Sequence, residues 1–161
     1  MFESSERLGR EIATLLDGVR LEAGGRYACL VDARRLLFES HADDDEGLSR
    51  LRALLERRRG ALFALPRQLA GEEPMEDVFE GWDGDDFFLA FINGRVALVL
   101  ACPEAEPLRE HLMRPLKILA DRLFRLDSSY RLDEQGRGLF FGSARLDLVV
   151  VGREGARGTL G

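Results

Sequence analysis

The sequence is poor in cysteine and lysine, and it has no long hydrophobic run. Its two cysteines, Cys29 and Cys102, lie in short apolar stretches, and Lys117 is the one lysine among 23 basic residues. These positions indicate buried free thiols, with a disulfide or a redox pair as the alternative. No apolar run approaches the ~20 residues that span a bilayer, and residues 1–10 have no signal-peptide core. We therefore expect a cytoplasmic protein that does not insert into membranes.

Positive charge is also in the minority. The net charge is −6 over 161 residues, of which 45% are hydrophobic and 32% charged. Binding to nucleic acid requires clustered cations that displace counterions, so this balance argues against a nucleic-acid partner. The composition is that of an ordinary globular protein, and the length suits a single domain.

Signatures of catalysis are missing as well. No glycine-rich loop is followed by Lys-Ser or Lys-Thr, and Gly142-Ser143 lacks the later glycine of a nucleophile elbow. His41, His111 and two strand cysteines do not make a zinc-ligand pattern. The acidic runs 43–46 and 83–86 lack the alternating ligands of a calcium loop. We expect no enzymatic activity, no metal and no cofactor.

The most informative segment is a hairpin. Asn93-Gly94 stands between the apolar runs Phe87–Ile92 and Arg95–Ala101. Asn-Gly favours a type I′ turn, because both of its central residues need positive φ. Neither run alternates apolar with polar residues, as a strand with one wet face would. The pattern therefore predicts the centre of a sheet that is covered on both sides.

Hydrophobic periodicity and turn residues assign the other elements. The chain divides into three helices, a central hairpin, other strands and a tail. Pro115 leaves two alternatives for the third helix: a kink, or two helices joined at Met113–Arg114. The predicted elements are a helix at 3–20, strands at 27–31 and 35–39, a helix at 48–65 ending near Pro66, an edge strand at 78–82, the hairpin, a helix at 108–126, strands at 139–141 and 146–151, and a loose tail at 152–161.

This order, α-β-β-α-β-β-β-α, resembles the roadblock/LC7 family and, more broadly, the profilin-like folds that include longin domains. The residues that carry the resemblance are Tyr27–Asp32 with the strand that follows, and Phe87–Leu100 with the helix after Pro107. The resemblance covers about residues 3–126, so we predict a domain at 1–126 and a C-terminal β extension at 127–161.

The resemblance implies an α/β fold of the α+β kind. A central five-stranded antiparallel sheet would lie in a three-layer sandwich, with strands in the order second, first, fifth, fourth, third. The first and third helices would cover one face and the second helix the other. Cys29 and Cys102 would lie on neighbouring strands.

The resemblance also implies a function. Roadblock/LC7 proteins are typically non-enzymatic dimers that bind or regulate small Ras-like GTPases or scaffold signalling complexes. We therefore predict a homodimer with a small GTPase or another signalling protein as partner. The family's dimer uses the second helix and the third strand, here Leu48–Leu65 and Met75–Trp82. The predicted interface residues are Leu51, Leu54, Leu55, Arg58, Leu62, Val78, Phe79 and Trp82.

Several alternatives stay open from sequence. Arg57–Arg59 fit a solvated helix face, an anion-binding patch or a partner contact. Trp82 fits a core position or an interface anchor. The apolar segment Leu139–Val151 has to pair with the sheet edge, a second subunit or a partner. A rival function is a small-molecule sensing domain of the GAF or PAS type, which needs a roomy pocket between sheet and helices.

Overall fold

The structure, a computed structural model, describes residues 5–42, 47–71, 84–132, 144–152 and, for the backbone alone, 155–160. The described part contains five α-helices, one short 3-10 helix and six strands. In chain order they are α1 (Ser5–Glu22), β1 (Tyr27–Asp32), β2 (Leu36–His41), α2 (Leu48–Arg57), α3 (Arg59–Leu69), β3 (Asp86–Ile92), β4 (Val96–Cys102), α4 (Leu108–His111), α5 (Met113–Leu126), the 3-10 helix (Ser128–Arg131), β5 (Leu146–Gly152) and β6 (Gly155–Leu160).

The strands form one antiparallel sheet in the order β2-β1-β4-β3-β5-β6. The predicted hairpin lies at its centre. Asn93 and Gly94 take φ values of 55° and 70°, as a type I′ turn requires. All of β4, and all of β3 after Asp86, is buried. The continuous apolar runs are therefore covered on both sides, as predicted.

Alternate residues of each strand serve two separate core clusters. Phe88, Ala90 and Ile92 pack with α1, α4 and α5. Phe87 and Leu89 pack on the opposite side with α2 and α3. The three-layer α+β sandwich is thus confirmed, with the first and last long helices on one face and the second helical segment on the other.

The strand that pairs with the edge of β3 opposite β4 is not the expected one. The first, second and hairpin strands keep the expected order, but Leu146–Gly152 pairs with β3 from Phe87–Val151 to Ile92–Leu146. Since β4 holds the other edge of β3, the strand predicted at 78–82 cannot occupy that place. Residues 78–82 themselves lie outside the described residues. Burial of Val149, Val150 and Val151 on both faces favours a central strand here.

The C-terminal segment joins the sheet of its own chain. This settles the open question for Leu146–Val151, whereas the strand predicted at 139–141 lies outside the described residues. The prediction of a loose tail after residue 152 is wrong, because β6 pairs with β5 from Gly152–Gly155 to Asp147–Leu160. Pairing gives the valine-rich strand β5 a neighbour on its second edge. The domain boundary at residue 126 stays a prediction.

The helices also depart from prediction at two points. The second helix was predicted to stop near Pro66, but it breaks at Arg58 (φ −107°, ψ 15°) and resumes as α3, with Pro66 inside its last turns. The third helix is two helices, joined at Leu112 rather than Met113–Arg114. Pro115 falls in the first turn of α5, where no intrahelical N–H bond is lost.

The two cysteines lie on neighbouring strands, as expected, but on opposite faces of the sheet. Cys29 belongs to the cluster under α2 and α3, and Cys102 to the cluster under α1 and α5. Both are buried free thiols. The sheet separates them, so they do not form a disulfide or a redox pair. Among the described helices, none has the length and hydrophobicity needed to cross a bilayer.

Candidate functional site

The outward side of α2 and α3 is rich in arginine. These helices and the residue between them carry six arginines and a single acidic residue, Glu56, in a chain whose net charge is −6. We call the exposed residues of this segment, together with the half-buried Leu54, the α2–α3 surface. It consists of Ser49, Arg50, Arg52, Ala53, Leu54, Glu56, Arg57, Arg58 and Gly60.

The structure divides the predicted interface residues into three groups. Leu51, Leu55 and Leu62 point inward and are buried in the core of their own chain. Leu54 is half-buried and Arg58 is exposed, so both remain available on the α2–α3 surface. Val78, Phe79 and Trp82 lie outside the described residues. The interface as a whole stays a prediction, but the buried leucines support the helices from below and do not face a partner.

A polar network fixes α2 to the sheet. The Tyr27 hydroxyl donates a hydrogen bond of 2.7 Å to Glu39 Oε2, and Arg52 Nε donates to the same oxygen at 2.9 Å. The second Glu39 oxygen accepts from Arg52 Nη2. This bidentate ion pair joins Arg52 of α2 to Glu39 of the edge strand β2. Guanidinium and carboxylate groups favour the bidentate geometry. The ion pair sets the position of the α2–α3 surface above the sheet.

The electrostatics of the network follow from this geometry. Burial alone would raise the pKa of Glu39, but the hydrogen bonds from Arg52 and Tyr27 outweigh it and hold the pKa below its ordinary value. Burial raises the pKa of Tyr27, and it raises that of Cys29 to about 12. At neutral pH, Glu39 is therefore charged, while Tyr27 and Cys29 are neutral. The arrangement is suited to holding a helix and not to activating a thiol.

Two exposed arginines are available for contacts outside the chain. Arg57 and Arg58 lie at the junction of α2 and α3, and neither guanidinium group has a hydrogen bond or an ion pair among the described residues. Arg59 differs from them, because its Nε is buried and without a hydrogen-bond partner in the described part. The Arg57–Arg59 run is thus split between two surface guanidinium groups without a partner in the described part and one partly buried side chain.

Sequence reasoning did not find the Tyr27–Glu39–Arg52 network. A usable signal existed, since Tyr27 is the one hydroxyl-bearing residue in an otherwise apolar buried strand and needs a polar partner. Which acid supplies that partner depends on the β1–β2 register, which places Tyr27 opposite His41 and Cys29 opposite Glu39.

Comparison with known proteins identifies the fold. No family model and no curated protein matches the sequence. Solved structures do match in three dimensions, and two of them give TM-scores above 0.5. MglB of Myxococcus xanthus superposes with a TM-score of 0.52 at 20% identity, covering 81% of this chain and 95% of that one. The gliding protein MglB of Thermus thermophilus gives 0.51 at 22% identity, covering 80% and 94%.

MglB is a roadblock/LC7-family protein. The chain has the roadblock/LC7 fold. The order of the first four strands and the division of the helices between two faces match what the sequence resemblance implied. At these identities the likeness concerns the fold alone.

Proposed function

We propose that this chain is a non-enzymatic homodimeric scaffold that binds or regulates a small Ras-like GTPase. The observation that carries the proposal is the roadblock/LC7 fold, shared over about four-fifths of the chain with two MglB structures. The α2–α3 surface is the proposed contact region. Its chemistry suits a protein partner, since a half-buried leucine adjoins two arginines that are free of partners in the described part.

The dimer can be tested on the purified chain. We expect light scattering coupled to gel filtration to give twice the monomer mass at about 50 μM, a concentration that saturates a micromolar dimer. Replacing Leu54 and Arg58 together (Leu54→Asp, Arg58→Glu) places repelling charges on the α2–α3 surface and should give the monomer mass. The matched control is Leu21→Asp on α1, which changes a 67% exposed side chain on the other face and should leave the dimer intact.

The GTPase part has its own test. Small Ras-like GTPases from the source organism would be purified and loaded with GDP or with a non-hydrolysable GTP analogue, and binding would be measured by calorimetry. We expect binding to one loaded state, and we expect the double variant to weaken it. A strictly monomeric wild-type chain that binds no GTPase in either state would overturn the proposal. So would equal loss of binding in Leu21→Asp.

The GAF or PAS alternative lacks comparable support. It requires a roomy pocket between the sheet and a helical layer. In the described part, the apolar sheet residues beneath both layers are buried and packed into continuous clusters.

A further inference from the structure

A cleft of about 750 Å³ opens at one end of the sheet, and none of its lining residues belongs to the α2–α3 surface. Two turns meet there, because the register places Asp32, at the start of the β1–β2 turn, opposite Val96, just after the β3–β4 turn. The 3-10 helix and Phe63 of α3 complete the walls. The volume lies in the range typical of small-molecule sites.

Three arginines line this cleft: Arg34 and Arg35 from one turn and Arg95 from the other. The Arg95 guanidinium donates one hydrogen bond of 3.0 Å, from Nη1 to the Ser129 carbonyl, which orients the group. The Arg34 guanidinium has no partner among the described residues. None of the three forms an ion pair with a carboxylate in the described part. The Arg35 side chain hydrogen-bonds the Tyr130 hydroxyl, and the other donors of the three groups remain available.

The two acids of the cleft are already satisfied by local donors. Asp32 Oδ1 accepts from the backbone N–H groups of Arg34 and Arg35, both at 2.8 Å. Asp127 Oδ1 accepts from Ser129 N at 2.9 Å and from Ser129 Oγ at 2.7 Å. These bonds close the turn and cap the 3-10 helix, which keeps both carboxylates in place. Three guanidinium groups against two occupied carboxylates leave the cleft with a net positive charge.

The Asp127 carboxylate is stabilised as the anion. Its hydrogen bonds from Ser129, together with the nearby charges of Arg35 and Arg95, hold its pKa below the ordinary value. Burial and the charge of Asp32 raise the pKa of Tyr130, so its hydroxyl stays protonated and can donate. At neutral pH, Asp127 is therefore charged and Tyr130 is neutral.

Phe63 supplies an apolar wall. Its ring meets Phe91 edge to face, with the centroids 6.0 Å apart and the planes at 74°. Since Phe63 is half-buried, part of the ring borders the cleft. The cleft lining therefore combines cationic guanidinium groups with an aromatic ring.

We propose that this cleft binds a phosphate-bearing small molecule, with Arg34, Arg35 and Arg95 around the phosphate. Guanidinium groups match the tetrahedral oxygens of phosphate by paired hydrogen bonds, and three converging cations suit a dianion better than a single carboxylate. Phe63 would face whatever part of the ligand lies beyond the phosphate.

The test is calorimetric titration of the full chain at low salt with two probes, pyrophosphate and adenosine 5′-monophosphate. We expect binding, and we expect Arg34→Gln/Arg35→Gln to weaken it by about 10-fold or more, since hydrogen bonds to charged groups are lost. Both side chains are exposed, so the variant should fold, which circular dichroism would check. Arg57→Gln/Arg58→Gln removes the same charge elsewhere and should bind like wild type.

The two probes separate the possible sources of the phosphate. Tighter binding of the monophosphate, with the gain lost in Phe63→Leu, supports a ligand that carries a ring. Equal binding of both probes, insensitive to Phe63→Leu, supports a simple phosphate or diphosphate. Absence of binding by either probe would overturn the proposal, and so would an equal loss in the Arg57→Gln/Arg58→Gln control, which would indicate non-specific charge attraction.

Discussion

The two faces of the sheet are covered differently. On one face α1 and α5 lie side by side, and helical side chains from Ile12 to Phe124 join a large cluster. On the other face, among described residues, the buried apolar side chains from the helices are Leu51, Leu55, Leu62 and Leu65. That thinner layer also carries Arg57 and Arg58, whose side chains have no partner in the described part, and the Glu39–Arg52 contact. The difference supports the proposal that the second face presents a surface to a partner.

A matched pair of core truncations tests this contrast most strongly. Leu119 of α5 and Leu62 of α3 are both fully buried. In the Leu54→Asp/Arg58→Glu background, where the proposed dimer surface is disrupted, we expect Leu119→Ala and Leu62→Ala to lower the free energy of unfolding by about 2–5 kcal/mol, with Leu119 at the upper end. The cavity left by Leu119→Ala lies beneath two packed helices that cannot close over it. The cavity left by Leu62→Ala lies beneath α3, where half-exposed neighbours can move in. Urea unfolding at one fixed protein concentration measures both values.

Equal costs at the two sites in this monomeric background would contradict the contrast. Repeating the pair in the wild-type chain gives a second comparison, because a second copy that covers the α2–α3 surface encloses the Leu62 site and should bring the two costs closer together.

The next-largest effect concerns Asn93, in the turn between β3 and β4. Its side chain donates to the Tyr130 carbonyl and accepts from Arg145 N, both at 2.8 Å, and so ties the hairpin to the 3-10 helix and to the start of β5. We expect Asn93→Gly, which tolerates positive φ, to cost about 1–3 kcal/mol through lost buried hydrogen bonds. Asn93→Ala should cost about 1 kcal/mol more, since alanine disfavours the left-handed region.

Hydrogen exchange would show where this loss falls. Strand β5 contributes Val149 and Val151 to one cluster and Leu148 and Val150 to the other. We therefore expect the β5 amides to lose protection before those of β1 and β4. Unchanged protection in β5 would show that Asn93 does not anchor this strand.

The smallest effect is pH-dependent. The folded-state pKa of Glu39 lies below its ordinary value of 4.5, so its stabilisation is fully present above pH 4.5 and is lost as the pH falls through the folded pKa. We expect Glu39→Gln to cost about 1 kcal/mol at pH 7 and progressively less in acid. Denaturant unfolding at several pH values measures the difference between wild type and variant.

Glu11→Gln is the control on the other face. Glu11 pairs with Arg122 at 2.9 Å where both side chains are about one-third exposed, and its loss should cost about 0.5 kcal/mol or less. A Glu39→Gln penalty that stays constant from pH 7 to acid would show that the contact depends on shape and not on charge.

Much of the fold was predictable because the pattern is local. Asn93-Gly94 required a tight turn, and the unbroken apolar runs beside it required two covered faces. The roadblock/LC7 resemblance also placed the helices correctly. Other features depended on contacts between distant segments. The predicted edge strand and β5 are both apolar enough to pair with β3, and periodicity alone does not rank them. The break at Arg58 and the strand β6 likewise carry weak local signals.

The candidate sites divide in the same way. Helical spacing identified Leu51, Leu55 and Leu62 as one apolar stripe, but a stripe does not tell whether it faces its own sheet or another chain. The sequence pattern did not predict the cleft arginines as a site. Arg34 and Arg95 are 61 positions apart, and only the β1–β4 pairing brings their turns to the same end of the sheet.

The amino-acid order by itself determined a doubly covered sheet with a central hairpin, because backbone conformation and side-chain alternation act over a few residues. Tertiary structure alone decided which segment completes the sheet, which leucines are internal and which arginines converge. These outcomes depend on competition among distant segments for the same hydrogen-bonding edge and the same apolar surface.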